Sequence, residues 1–273
     1  MASKGSLFAY NLRAKKKIVP ELARTLPLPV NDKAQTEPLQ IDAVFTGFSV
    51  DVTDSESIRL LCLNGGFGQG MLSRAFPACL TATRELVRKR KRNTNVEPTQ
   101  DTVNEPLCLF LEEAFFLMHT LNILRVTDLF GKSIDVRAAF ERFRKVKQNF
   151  LACYSAYLYL KSKNWVIKSG IKFGGDFVIY VKGPQFYHAS YIVLIKEMLE
   201  GKQINSHTVD GLDFQGFNRI AETTAKDVLF LEVHYPANLD LSDAGACLEQ
   251  LKDIRVAELF TKHHNYLAAR NQS

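Results

Sequence analysis

The chain has 273 residues, 46% of them hydrophobic and 23% charged, and a formal charge of +6. Those values exclude a disordered, charge-dominated chain and allow one large or two modest domains with a real core. The basic excess suits a polyanionic partner, although many globular proteins carry a similar balance.

In chain order, residues 1–37 carry Lys15, Lys16 and Lys17 followed by several prolines, which reads as an irregular lead-in. Ile41 to Val52 has a strand pattern, and a glycine-rich turn follows from Gly65 to Gly70. Leu80 to Arg88 reads as a helix. The basic run Arg88–Arg92 and the polar stretch to Pro106 predict a flexible loop. Leu109, Leu111, Ala114, Phe115 and Met118 give a helical stripe, and further helices are predicted over about Val136–Phe143 and Gln148–Lys161. Residues 106–161 are thus expected to be a mainly helical bridge.

Beyond Trp165 the texture turns to short β-rich runs bounded by glycine. Strands are predicted over Asn164–Lys168, Phe177–Lys182, the apolar run within His188–Met198, and Val228–Val233. A helix is predicted over Phe214–Thr224, and a helix followed by a strand over Ala244–Phe260. The fold class expected is α/β: a mixed N-terminal region with helices, and a compact C-terminal α/β domain whose mixed sheet is flanked by helices. The expected divisions are 1–87, the loop 88–106, a helical segment 107–161 completing the N-terminal domain, and 162–273.

The five cysteines form no C-x-x-C pair, so they read as reduced, buried thiols rather than a disulfide frame or zinc ribbon. No apolar stretch is long enough to span a membrane and no secretory signal is visible, so the nucleus or the cytoplasm is expected. No metal and no cofactor are expected. Gly65–Gly70 lacks the Gly-Lys-Ser/Thr of a phosphate-binding loop, and His263-His264 lacks further ligands for zinc. Glu112-Glu113 read as charges on a helix surface. The Arg88–Arg92 run fits a nuclear localisation signal, a tRNA contact or a plain solvated loop.

The segment from Tyr180 to Ser190 carries the chemistry. A tyrosine ends a strand, Gly183-Pro184 makes a turn, and His188 opens the next strand. Lys226 closes a helix just before a buried strand, where a cation complements the helix dipole. Taken singly, Tyr180 fits an amphipathic strand residue, His188 a surface histidine and Lys226 a helix-end charge. The constellation is more specific. Trp165-Val-Ile-Lys-Ser-Gly170, Lys172-Phe-Gly174, Asp176-Phe-Val-Ile-Tyr180 and Phe186-Tyr-His188-Ala-Ser190 together resemble the catalytic subunits of the tRNA-splicing endonucleases. Gly68-Gln-Gly70, Leu72-Ser-Arg74 and Leu111–Leu117 resemble the subunit that cuts the 5′ splice site.

The resemblance implies an endoribonuclease that cleaves pre-tRNA at the 5′ exon–intron junction and leaves 2′,3′-cyclic phosphate and 5′-OH ends. It assigns Tyr180 as base for the 2′-hydroxyl, His188 as acid for the departing 5′-oxygen and Lys226 as the charge facing the phosphorane. It implies that Arg219 grips an unpaired base by stacking, with His264 where the family often has an aromatic partner. It also implies a hetero-oligomer with a second catalytic subunit and two structural subunits, acting on intron-containing pre-tRNA. The alternatives are a non-catalytic structural or RNA-binding subunit of the same complex, and a general basic RNA-binding module.

Overall fold

The computed structural model describes residues 39–72, 105–181, 183–184, 187–204, 211–224 and 226–261. The predicted lead-in, the Leu80–Arg88 helix, the Arg88–Arg92 run and the His263-His264 pair lie outside them. The architecture is α/β, with two mixed sheets in two compact units. Among the described residues no helix is long and apolar enough to cross a membrane.

The first unit includes described residues 39–158 and 240–249. Its strands are β1 (Ile41–Phe45), β2 (Val50–Val52), β3 (Gln69–Gly70), β4 (Leu107–Leu109), β5 (Leu124–Thr127) and β6 (Ser133–Ile134), ordered β3-β4-β2-β1-β5-β6. Among the described residues, only β1 and β5 pair in parallel in this sheet. The expected helical bridge therefore also supplies three strands. These runs are only two to four residues long, too short for alternation to stand out beside the neighbouring helical stripe.

Helix α1 (Ser55–Leu63) was not expected from composition, although its signals are present. Asp54 caps it by accepting from the Ser57 amide at 2.8 Å, and Ile58, Leu61 and Cys62 form its buried face. Helix α2 (Leu111–Phe115) passes into a π-helical turn (Phe116–Thr120). Helix α3 (Val136–Val146) is capped by Asp135, and α4 runs from Phe150 to Ser162. A short helix α5 covers Ala244–Glu249.

Phe115 sits at the centre of this core. Its ring packs edge-on to Tyr154 at 4.8 Å and Phe150 at 5.6 Å, and lies 5.6 Å from Phe140. Glu112 and Glu113 are buried rather than surface charges. Burial of carboxylates requires partners, and both have them. Lys147 Nζ stands 2.6 Å from Glu112, while Glu113 accepts from the amides of Gly68 and Phe110. The glycine-rich turn is thus pinned from inside by a carboxylate.

The second unit includes described residues 159–239 and 250–261. Its strands are β7 (Val166–Ser169), β8 (Phe177–Tyr180), β9 (Tyr191–Leu199), β10 (Lys202–Gln203), β11 (Asp227–Tyr235) and β12 (Arg255–Thr261). The order is β12-β11-β9-β8-β7, with β10 paired to β9. β9 and β11 run parallel; the other pairs are antiparallel. A parallel pair needs a crossover, and helix α6 (Gly211–Thr224) lies within it. Val228 to Val233 is core, as its β-branched and aliphatic content predicts. The apolar run from Val256 is edge strand β12 as far as Thr261.

Replacing Phe115 with alanine should remove about 3–5 kcal/mol of stability, the usual cost of deleting a buried aromatic ring. Urea denaturation of the two forms checks this; a loss below about 1 kcal/mol would show that the ring is not central.

Candidate active site

The site is built from one end of the second sheet. Val178, Ile192 and Val228 form a cross-strand row, with Ile192 paired to both neighbours. All three belong to one buried cluster with Ala189, Leu194, Ala221 and Phe230. The next row outward on the same face falls at Tyr180, Ser190 and Lys226, because side chains alternate along strands. Backbone bonds extend the pairing to this row. The Ser190 amide donates to Ile179 O at 2.9 Å, and Ser190 O accepts from the Asp227 amide at 3.1 Å. Tyr180 and Lys226 therefore flank Ser190 on either side. With neighbouring strands about 4.8 Å apart, their backbones lie on the order of 10 Å from each other, within reach of two long side chains turned towards the same ligand.

Tyr180 ends β8 opposite Val166 and is half-buried against the cluster. Burial pushes its phenol above the ordinary tyrosine value. The chain then turns at Gly183, whose φ of 119° favours glycine, and the Tyr187 amide donates to Gly183 O at 3.1 Å. His188 is exposed, directly before buried Ala189. It does not open a strand as predicted. β9 begins three residues later at Tyr191, leaving His188 in the connection between β8 and β9.

Lys226 does not close a helix either; it lies two residues beyond the end of α6. Its amide donates to Ala221 O at 2.9 Å, which ties it to the last turns of that helix. Its ammonium donates to Thr224 O at 3.1 Å and stands 4.3 Å from the Phe173 ring centroid. Arg219 is exposed on α6, whereas Ala221 of that helix is buried in the cluster. His264 lies outside the described residues, so the predicted sandwich has no geometry for its second half. Among the described residues no three His, Cys, Asp or Glu side chains gather in a way that could hold a metal ion.

Phe173 stands in the Lys172-Phe-Gly174 motif, and nothing in the sequence pattern marks its contact with Lys226. The signal that could have found Phe173 is the tight loop it occupies. Gly170 begins a single 3-10 turn, Ile171–Phe173, and a Cβ on Gly170 would sit 2.7 Å from the carbonyl oxygens of Gly175 and Phe177.

The sequence matches the family described as "tRNA intron endonuclease, catalytic C-terminal domain" over residues 150–240, which contain Tyr180, His188, Arg219 and Lys226. It is 38% identical over 159 residues to the tRNA-splicing endonuclease subunit Sen2 of Gallus gallus, across 57% of this chain and 33% of that protein. Identity to the tRNA-splicing endonuclease subunit Sen2-1 of Arabidopsis thaliana is 32% over 142 residues, across 52% and 58% of the two chains. Identity to the tRNA-splicing endonuclease of Sulfurisphaera tokodaii is 30% over 129 residues, across 47% of this chain and 67% of that one. The chain thus spans 33% of one Sen2 relative and 58% of the other.

A raised phenol means that the folded state keeps the Tyr180 proton to higher pH than the unfolded chain does. Its contribution to stability is full below about pH 10, the ordinary tyrosine value, and is lost as pH rises beyond that. The difference in phenolate absorbance between wild type and Tyr180→Phe should have its midpoint above about pH 10; a lower midpoint contradicts the burial. Gly170→Ala should cost about 1–3 kcal/mol through forced backbone shifts, read as a lower urea midpoint, and an unchanged midpoint would mean that the loop gives freely.

Proposed function

The chain belongs to the tRNA-splicing endonuclease family and resembles its Sen2-type subunits, and from that membership we propose that it is the subunit that cleaves pre-tRNA at the 5′ exon–intron junction. The observation that carries the proposal is the shared end of β8, β9 and β11, where Tyr180 and Lys226 flank Ser190 and His188 precedes it by two residues.

In the proposed reaction the 2′-oxygen attacks the adjacent phosphorus as the P–O5′ bond breaks. The 2′-hydroxyl proton passes to ionised Tyr180, and the His188 imidazolium gives its proton to the departing 5′-oxygen. The products are a 2′,3′-cyclic phosphate and a 5′-OH. Histidine suits the acid because its ordinary pKa of about 6.5 lies near working pH. Lys226 faces the charge that gathers on the non-bridging oxygens. Since a side chain protonates the leaving group, the scheme needs no metal.

Tyr180 is the demanding member. Its burial favours the neutral phenol, while a base must be ionised. The Lys226 ammonium, across Ser190, is the charge that would favour the phenolate once a substrate closes the site and excludes water. Arg219, exposed on α6, would take the unpaired base, with His264 as its partner. The proposed assembly contains a second catalytic subunit and two structural subunits, and the proposed compartment is the nucleus.

The test is cleavage of intron-containing pre-tRNA by the assembly that co-purifies with the tagged chain, in excess EDTA. Wild type should cut at the 5′ junction and leave a cyclic phosphate. His188→Ala should slow that cut by about 10²–10⁴-fold while the 3′ cut persists. An unchanged 5′ rate in His188→Ala would reject the triad and favour a structural or RNA-binding subunit. Loss of cutting in EDTA with recovery on added magnesium would reject the metal-free scheme.

A further inference from the structure

Lysine is a poor catalytic charge unless something fixes it, because its four-carbon stem has many rotamers. At Lys226 the groups that do so include the Thr224 carbonyl and the face of Phe173, with the ammonium nitrogen 4.3 Å from the ring centroid. An ammonium over an aromatic face is attracted by the ring quadrupole, more strongly where water is excluded.

The ring is itself held. The Phe173 amide donates to Gly170 O at 2.8 Å, and the Gly175 amide donates to the same oxygen at 3.2 Å. Gly174 ends the turn at φ 73°, a conformation suited to glycine, and a Cβ there would come 3.0 Å from the Phe217 ring on α6. The Asp176 amide ties the end of the loop to Val193 O on β9 at 2.9 Å. Phe173 packs with Tyr180 and Phe217 against the same buried cluster. One short loop thus presents an aromatic face to the lysine.

We infer that Phe173 is a positioning residue for cleavage: its ring face holds the Lys226 ammonium where the phosphorane charge develops. The inference rests on the triad reading proposed above. Phe173 does not touch the phosphate; it acts through Lys226. Its effect should therefore appear in the chemical step rather than in RNA affinity.

The experiment compares Phe173→Leu, Phe173→Tyr, Lys226→Ala and the Phe173→Leu/Lys226→Ala double variant, each as the full chain in its co-purified assembly. Single-turnover cleavage and KM for intron-containing pre-tRNA are measured. Phe173→Leu keeps an apolar side chain but removes the π face. It should slow single-turnover cleavage by about three- to thirtyfold, the rate equivalent of a cation–π contact, with KM changed by less than about twofold. Phe173→Tyr should restore most of the rate. In the Lys226→Ala background, Phe173→Leu should cost nothing further. Equal losses from Phe173→Leu in both backgrounds would make Phe173 a packing residue and overturn the inference, as would a Phe173→Tyr variant no faster than Phe173→Leu. Should Phe173→Leu melt early, Phe173→Met carries the same comparison. An intact rate in Lys226→Ala alone is a separate result: it overturns the triad reading, and this inference with it.

Discussion

The backbone of one residue organises the candidate site. Ser190 donates from its amide to β8 and accepts at its carbonyl from the start of β11. Those two bonds join an antiparallel pair and a parallel pair at the same residue. The C-terminal end of β8 thereby meets the N-terminal ends of β9 and β11. Side-chain reach, cluster packing and the approach of Phe173 all follow from that registration. Since strand side chains alternate with a period of two, a one-residue slip in one of these two pairings alone would send Tyr180 and Lys226 to opposite faces.

The site also contains a conflict between solvation and charge. Tyr180 is packed against apolar side chains, which resists its ionisation. Lys226 stands over Phe173, which packs on the same cluster, and in the proposed site a cation brought close to the phenol would work in the opposite sense. In the free protein burial prevails and the phenol is neutral. The proposed chemistry then depends on what the RNA brings: exclusion of water, which strengthens the lysine's influence, and a hydroxyl within hydrogen-bond reach.

Much of this could be read in the sequence. The glycine-bounded runs after Trp165 mark β7, β8 and β9 because a short strand between tight turns leaves a compositional trace. Tyr180 was legible at a strand end, whereas Lys226 falls two residues past its helix, directly before β11. Other features were hidden for identifiable reasons. His188 lies in a connection because backbone pairing starts at Tyr191, and no side-chain pattern announces where pairing starts. Glu112 and Glu113 look like a solvent face until Lys147 and the Gly68 amide close on them from distant parts of the chain, joined by the neighbouring Phe110 amide. The Phe173–Lys226 contact joins residues on different elements, and spacing along a sequence does not encode such a meeting. Helix α1 was a plainer omission, since its aspartate cap and apolar stripe were both in view.

The registration at Ser190 has an evolutionary corollary. Tyr180 and Lys226 are placed by strand pairing on either side of Ser190 and not by the length of chain between them. Relatives could therefore lengthen or shorten the crossover between β9 and β11, which contains α6, without displacing Tyr180 from Lys226. A single residue gained or lost inside β9, between Ser190 and the core at Ile192, would have no such freedom. The family's variation in length should accordingly collect in its connections, while the spacing from Asp176 to Tyr180 and from Ser190 to Leu194 stays constant to the residue.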